Sequence, residues 1–323
     1  MNPLALIVSL IIATLLAPAA AAQQAARIHR IGILSFFPLP SSQVEALREG
    51  LRALKYVEGR DLVIVIRSAN RDRKILPRLA AELVAEKPDV LVATTGTSTL
   101  ALKRVTKSIP IVMLCSSDAV GMGIVSSLAR PGGNVTGFTI ISPDLAPKRL
   151  ELLTALPGVR RVAILWCPEG APINREELRR TADAATRLGV NLVPVEYRRG
   201  TSWQSFSTAL SEARAQAIFQ SDCTSLPFRS IFKWAIQNRL PLITPYFVLG
   251  SRRGVLLAYG ANGADTSRRA AGHVDRILKG ARPADLPVEQ PTELRLVINM
   301  KTAKAIGLTI PRSLLLRADK VIE

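Results

Sequence analysis

The sequence predicts an α/β fold of two lobes, each a largely parallel sheet flanked by helices, joined by a hinge. Two observations carry this. From residue 31 onward, short apolar runs alternate with amphipathic segments of roughly 10–15 residues, the pattern of repeated βαβ units. The alternation breaks at Pro157-Gly158 and then restarts, so the chain holds two such units of similar size. Within the first, Val90 to Phe138 contains two apolar strands that each end in a loop rich in hydroxyls.

The elements follow in order. Met1-Asn2-Pro3 precedes an uncharged apolar run, Leu4 to Leu16, and the small residues Ala19 to Ala22. That run is too short to cross a bilayer, which takes ~20 residues. Residues 1–22 therefore read as a secretory signal cleaved near Gln23. No Lys or Arg precedes the run, a departure from the usual signal, and a retained anchor is the alternative. No cysteine follows the cleavage region, so no lipid attachment is expected there. Ile31 to Ser35 is the first strand, Phe36 to Pro40 a stiff loop, and Ser41-Ser42 a cap. The helix that follows carries Val44, Leu47, Leu51 and Leu54 on one face. Leu62 to Ile66 is the second strand, and Ile75 to Glu86 a helix stopped by Lys87-Pro88. Val90 to Ala93 and Ile111 to Leu114 are strands three and four, with the helix Ser98 to Lys107 between them. Pro131-Gly132-Gly133-Asn134 turns into the strand Val135 to Phe138, and Lys148 to Leu156 is helical.

The second half begins with the strand Val162 to Trp166. The helix Asn174 to Leu188, the strand Leu192 to Glu196 and a helix burying Trp203, Phe206 and Leu210 come next. Strands Ala217 to Gln220, Leu242 to Thr244, Gly254 to Tyr259 and Leu294 to Ile298 complete the pattern. Helices Phe228 to Asn238, Asp265 to Leu278 and Thr302 to Ile306 lie between or after them.

The 323 residues include 43 Lys+Arg against 25 Asp+Glu, a net charge of +18. The basic residues are scattered as pairs such as Arg160-Arg161 and Arg268-Arg269, with no basic run interleaved with aromatics, which reads as solvated surface rather than a nucleic-acid patch, so no nucleic-acid partner is expected. Three cysteines, Cys115, Cys167 and Cys223, are too few for a disulfide scaffold. Each ends a strand, as a buried thiol or, for Cys167 and Cys223, as a bridge whose geometry sequence does not supply.

Catalytic chemistry is poorly served. The two histidines, His29 and His273, sit away from any nucleophile, and no His/Cys spacing matches a zinc site. Neither a dinucleotide fingerprint nor a phosphate-binding Walker loop is present, and Gly121-Met122-Gly123 is only a fragment. No cofactor is expected. Recognition is better served. Thr95, Gly96, Thr97 and Ser98 open a helix directly after a strand, where free N–H groups and the helix dipole favour a carboxylate or phosphate; capping alone also calls for Thr and Ser there. Ser116, Ser117 and Asp118 end the neighbouring strand. In the second unit Trp166, Pro168 and Glu169 end one strand, Ser221 and Asp222 another, and Tyr246-Phe247 a third. Aromatics with a few polar groups are how small-molecule clefts are lined.

The blocks KPDVLVATTGTSTLALK, SIPIVMLCSSDAVGMGIVSSLARPGGNVTG, KRLELLTALPGVRRVAILW and the ending from GVLLAYGANGAD onward resemble the solute-binding proteins of bacterial ABC importers, in the branch related to tryptophan- and tyrosine-binding lipoproteins. The resemblance spans nearly the whole mature chain. It implies a type I periplasmic-binding fold of two Rossmann-like lobes, with three crossings between them. Lobe one would hold residues 27–145 and a return segment 260–292; lobe two would hold 146–259 and the C-terminal segment 293–323. Carried over by position, the pocket would draw on Phe36, Phe37, Thr95, Gly96, Thr97, Ser98, Ser116, Ser117 and Asp118 of lobe one, and Cys167, Pro168, Asp222 and Tyr246 of lobe two. CPEGAP and SDCTS depart from relatives at two loops facing the ligand, so ligand identity does not transfer. The function implied is capture of a small organic ligand, amino-acid-like or carboxylate-bearing, in the interlobe cleft by hinge closure in the periplasm, without catalysis, by a monomer that docks on an ABC permease in the inner membrane. A periplasmic sensor docking on a membrane receptor is the alternative.

Overall fold

The structure, a computed structural model, describes residues 28–39, 41–168 and 172–323; residues 1–22, expected to be a signal, and Glu169 lie outside them. Two parallel sheets form because their strands are apolar on both sides and each must be covered by helices on both faces. The first has strand order β2-β1-β3-β4-β5, with β1 His29–Ser35, β2 Leu62–Ser68, β3 Val90–Ala93, β4 Ile111–Ser116 and β5 Val135–Thr139. Helix α1 (Ser42–Ala53) buries Val44, Leu47 and Leu51 against Ile31 and Ile33 on one face. Helix α2 (Leu76–Ala85) and α3 (Gly96–Val105) cover the other, with Leu76, Leu79, Leu83 and Leu102 packed on Leu34, Leu91 and Met113.

The second sheet has seven strands in the order β12-β11-β10-β9-β8-β6-β7. They are β6 Arg161–Trp166, β7 Asn191–Glu196, β8 Ala217–Gln220, β9 Leu242–Thr244, β10 Leu257–Ala261, β11 Leu294–Asn299 and β12 Lys320–Ile322. All neighbours are parallel except β10 and β11. One face carries α4 (Ser142–Thr154), α5 (Pro172–Leu188) and α9 (Met300–Ile306); the other carries α6 (Trp203–Glu212) and α7 (Phe228–Gln237). The long helix α8 (Gly263–Leu278) follows β10 yet packs on β4 and α1 of the first lobe, burying Ala270, Ala271 and Val274 with Leu47 and Leu51. The chain thus passes between lobes at residues 139–142, at 261–263 and again before β11. The last passage runs beside β5, where Thr139 N donates to Glu289 O at 2.9 Å and Glu289 N donates to Gly137 O at 2.8 Å.

Strand β12 was not anticipated, and two elements begin well away from their sequence reading. Helix α4 begins at Ser142 rather than Lys148, because Pro143 occupies its first turn, where a missing N–H costs nothing. Strand β10 begins at Leu257 rather than Gly254, whose φ of +97° belongs to the turn before it.

In both sheets the strand order reverses beside the first strand of the lobe, between β1 and β3 and between β6 and β8, and the crevice at such a switch point opens at the strands' carboxyl ends. In lobe one, Phe36 N donates to Thr94 Oγ1 across the switch at 3.2 Å. In lobe two a Cys167–Cys223 disulfide spans it, joining the loops after β6 and β8.

Two consequences are measurable. A Cβ on Gly50 would lie 2.3 Å from Arg268 O and 2.7 Å from Ala271 Cβ, so α1 and α8 cross with no room for a methyl group. Gly50→Ala should lower stability by about 1–3 kcal/mol in a denaturant titration; an unchanged midpoint would contradict this crossing. The disulfide closes a loop between residues 56 apart. Its reduction, or the double change Cys167→Ser/Cys223→Ser, should cost about 2–4 kcal/mol in the same assay, and an unchanged midpoint under reductant would contradict the bridge.

Candidate functional site

The lobe-one rim is built from three strand ends. After β1, Phe36 is buried and Phe37 half-buried, their rings edge-on at 5.3 Å. After β3, Thr95 caps α3, accepting from Ser98 N at 3.1 Å, with its hydroxyl 3.0 Å from Ser98 Oγ. Thr97 is half-buried and Ser98 fully buried. Gly96 lets the β4 loop approach: a Cβ there would sit 2.9 Å from Ser116 Oγ and 2.8 Å from Met122 Sδ. After β4, the Ser117 carbonyl accepts from Ser142 N at 2.9 Å, tying this rim to the first interlobe passage. Asp118 is taken up locally. Its Oδ1 accepts from Gly121 N at 2.9 Å, the geometry of an Asx-type turn, and its carboxylate fills the space a Cβ on Gly121 would need. The structure therefore gives Asp118 a turn-forming role, unlike its neighbours.

The lobe-two rim rests on a buried polar chain. Arg149 of α4 is 1 % exposed and Glu177 of α5 is 0 % exposed. Arg149 Nη1 donates to Glu177 Oε1 at 3.1 Å, to Ser142 O and to Ser142 Oγ, and its Nε donates to Tyr259 O at 3.0 Å. The second Glu177 oxygen accepts from Asp222 N at 2.8 Å, and Asp222 Oδ1 accepts from the Tyr246 hydroxyl at 2.7 Å. Arg149 thus holds Glu177, Glu177 holds the backbone of the β8 loop, and that loop presents the half-buried Asp222 carboxylate. Burial pushes the Glu177 carboxyl up to about 7; the Arg149 guanidinium opposes the rise and the nearby Asp222 carboxylate adds to it. Burial, with Asp222 beside it, raises the Tyr246 phenol well above its ordinary range. Ser221 Oγ and both amide atoms of Gln220, all buried, have no protein partner, which leaves hydrogen-bonding capacity at this strand end. Cys167 is buried in its disulfide, and Pro168, half-buried, is the last described residue of the β6 loop.

The rims meet. Arg73 Nη2 of lobe one donates to Thr224 Oγ1 of lobe two at 3.2 Å. The Arg71 guanidinium lies 5.1 Å from the Phe37 ring and 5.5 Å from the Phe228 ring, so it stacks against one aromatic from each lobe. The Cys115 thiol at the end of β4 is pushed up to about 12 by burial and by the Asp222 carboxylate of the other lobe. The open groove at the edge of lobe two, lined by β7 and α6, lies outside this region.

Of the residues expected from sequence, Phe36, Phe37, Thr95 to Ser98, Ser116 and Ser117 share one rim, and Cys167, Pro168, Asp222 and Tyr246 share the other. Arg71, Cys115, Arg149, Glu177 and Phe228 were not anticipated. A signal existed for two of them: Glu177 and Arg149 fall at buried positions of their helices, in register with Ile173, Thr181 and Ala184 and with Ala146, Leu150 and Leu153. No group of three or more His, Cys, Asp or Glu suited to a metal occurs among the described residues. The arrangement is suited to binding: an anionic patch in lobe two, N–H donors at a helix start in lobe one, and aromatic faces between.

Comparison with known proteins agrees with this architecture. The family model of the ABC transporter substrate binding protein matches residues 30–322. The tyrosine-binding protein of Clostridioides difficile is 25% identical over 297 residues, covering 86% of this chain and 81% of its own. The ABC domain crystallised with L-Trp from Streptococcus pneumonia is 25% identical, with a TM-score of 0.84 over 92% of this chain and 100% of that one. A conserved domain protein from Vibrio cholerae is 27% identical, with a TM-score of 0.83 over 91% of this chain and 100% of that one. With one family model covering both sheets and the passages between them, the chain belongs to the ABC transporter substrate binding protein family.

Proposed function

We propose that this protein is the periplasmic solute-binding component of an ABC importer, and that its ligand is an amino acid with an apolar, aromatic-compatible side chain. The observation that supports the reading is the position of Asp222. Its carboxylate is fixed from behind by Glu177 and from the side by Tyr246, and it acts on Cys115 of the other lobe. A carboxylate so placed is a receptor for an ammonium group, through charge-assisted hydrogen bonds stronger than neutral ones. The start of α3 from Thr95 to Ser98 supplies the opposite polarity for a carboxylate. Phe37 and Phe228, with the Arg71 guanidinium against both rings, and Tyr246 supply aromatic surface between the rims. The similarity to proteins described with tyrosine and L-Trp points the same way.

On this reading the free protein exchanges between open and closed arrangements, and the ligand favours closure by touching both rims. Residues 1–22 act as the export signal, and a membrane permease reads the closed face.

Isothermal titration with L-tryptophan and L-tyrosine tests the proposal. At least one should bind the wild-type protein. Asp222→Asn should weaken it tenfold or more, in line with the ~1.5–3 kcal/mol of a hydrogen bond to a charged group, while Thr97→Ala should weaken it more modestly. Equal affinity in wild type and both variants would reject this pocket, and no heat from either amino acid would reject the ligand class.

A further inference from the structure

The polar chain behind the lobe-two rim does not balance its charge. Arg149 is its one cation, and Glu177 and Asp222 are two carboxylates, all at or beneath the rim. The groups facing Glu177 are few. From α4 come Arg149 and the Ser142 hydroxyl, from the β8 loop Asp222, from the β9 loop Tyr246, and from β10 the Tyr259 carbonyl that Arg149 engages. On α5 itself, Glu176 and Arg180 point to the surface, where Arg180 pairs with Glu176 and with Asp144. Lobe one contributes Arg71, which acts on Tyr246 from the cleft mouth, Arg73, whose Nη2 donates to Thr224 Oγ1 two residues past Asp222, and the Cys115 thiol, which stays neutral. Among the described residues, Arg149 is the cation that pairs with either carboxylate.

A net charge in a low-dielectric interior is costly and is relieved by taking up a proton. We propose that Glu177 is the proton reservoir of the cleft: it holds a proton while the cleft is empty and gives it up when a cationic ligand group comes to Asp222. Charge is balanced in both states. In the empty cleft Arg149 offsets Asp222, and Glu177 is a neutral acid. With an ammonium group bound, two cations face two carboxylates, and one proton has left to solvent. This rests on the amino-acid reading above for the identity of the cation, and it adds that binding and proton release are linked. The upward displacement of the Glu177 carboxyl, to about 7, puts this exchange in the neutral range. The sign follows. A cation at Asp222 lowers the Glu177 midpoint, so affinity rises with pH until Glu177 is ionised in the empty protein. For one linked proton, binding should be about tenfold weaker at pH 6 than at pH 8.

The test starts without ligand. Protein labelled with 13C at the glutamate carboxyls is titrated by NMR, with the Glu177 resonance assigned by its disappearance in Glu177→Gln. If that variant fails to fold, Glu177→Asp, which keeps the carboxyl, gives the assignment by the loss of one glutamate resonance. The Glu177 midpoint should lie near neutrality in wild type and fall by a pH unit or more in Asp222→Asn, which removes the competing charge. It should also fall in Tyr246→Lys, which places a cation beside Asp222 in imitation of the ligand. A wild-type midpoint in the ordinary carboxylate range, or one unmoved in both variants, overturns the proposal. In the second arm, L-tryptophan and L-tyrosine are titrated calorimetrically at pH 7 in phosphate and in Tris, and about half a proton per site should be released. Binding with no buffer dependence overturns the linkage while leaving the binding site in place. A neutral-range midpoint that falls in Tyr246→Lys, with no heat from either amino acid, supports the proton device and rejects only the choice of ligand.

Discussion

One fully buried contact, the Arg149 guanidinium against the Glu177 carboxyl, organises the working half of this molecule. Burying a guanidinium beside a carboxyl group costs several kcal/mol, and the attraction between them repays that only when neighbouring donors and acceptors are also engaged. Here most of them are. Arg149 spends its donors on Glu177, on Ser142 at the first interlobe passage and on the Tyr259 carbonyl of β10. Glu177 spends its second oxygen on the backbone of the β8 loop. The pair therefore links two helices, one sheet strand, one interlobe passage and one rim. An apolar pair of similar volume would pack α4 on α5 equally well, but it would leave the Asp222 loop without an anchor.

The sheet topology explains why the anchor is needed. Parallel βαβ units bring every strand to the same edge, so the loops after β6, β8 and β9 converge without packing closely on one another. A rim of loops is the least stable part of such a lobe. Three devices stiffen it: the Cys167–Cys223 bridge across the switch point, the Glu177 bond to Asp222 N, and the Tyr246 bond to the Asp222 carboxylate. Lobe one uses weaker means, a Thr cap, a Ser–Thr pair and a glycine that admits Ser116. The stiffer rim carries the charge and the softer one carries N–H donors, which is a sensible division if one end of a ligand is located first and the other lobe then closes on it.

Most of the fold was legible because doubly covered parallel strands are unbroken apolar runs, and runs such as Val90 to Ala93 and Ile111 to Leu114 admit no other reading between helical segments. The rim residues were legible because topology alone sends residues after a strand to the carboxyl edge. What stayed hidden has physical causes. A single Glu in an amphipathic helix is ordinary, and Glu177 acquires meaning only when Arg149, 28 positions earlier, is folded against it. The Cys167–Cys223 bridge needed the spatial adjacency of β6 and β8, which skips β7. The turn that Asp118 forms with Gly121 was hidden because its partner is a backbone donor that no side-chain pattern announces. Arg71 reaches the cleft through two left-handed residues, Asn70 at φ 49° and itself at φ 70°, a backbone path that side-chain patterning does not encode.

The central claim is that a guest is clamped between the two rims with its cation at Asp222. A crystal structure of the protein grown with L-tryptophan or L-tyrosine tests this most directly. The account predicts one amino acid between the lobes, its ammonium within hydrogen-bonding distance of the Asp222 carboxylate and its carboxylate at the start of α3. A ligand held by one lobe alone, or bound with its ammonium turned away from Asp222, would contradict it.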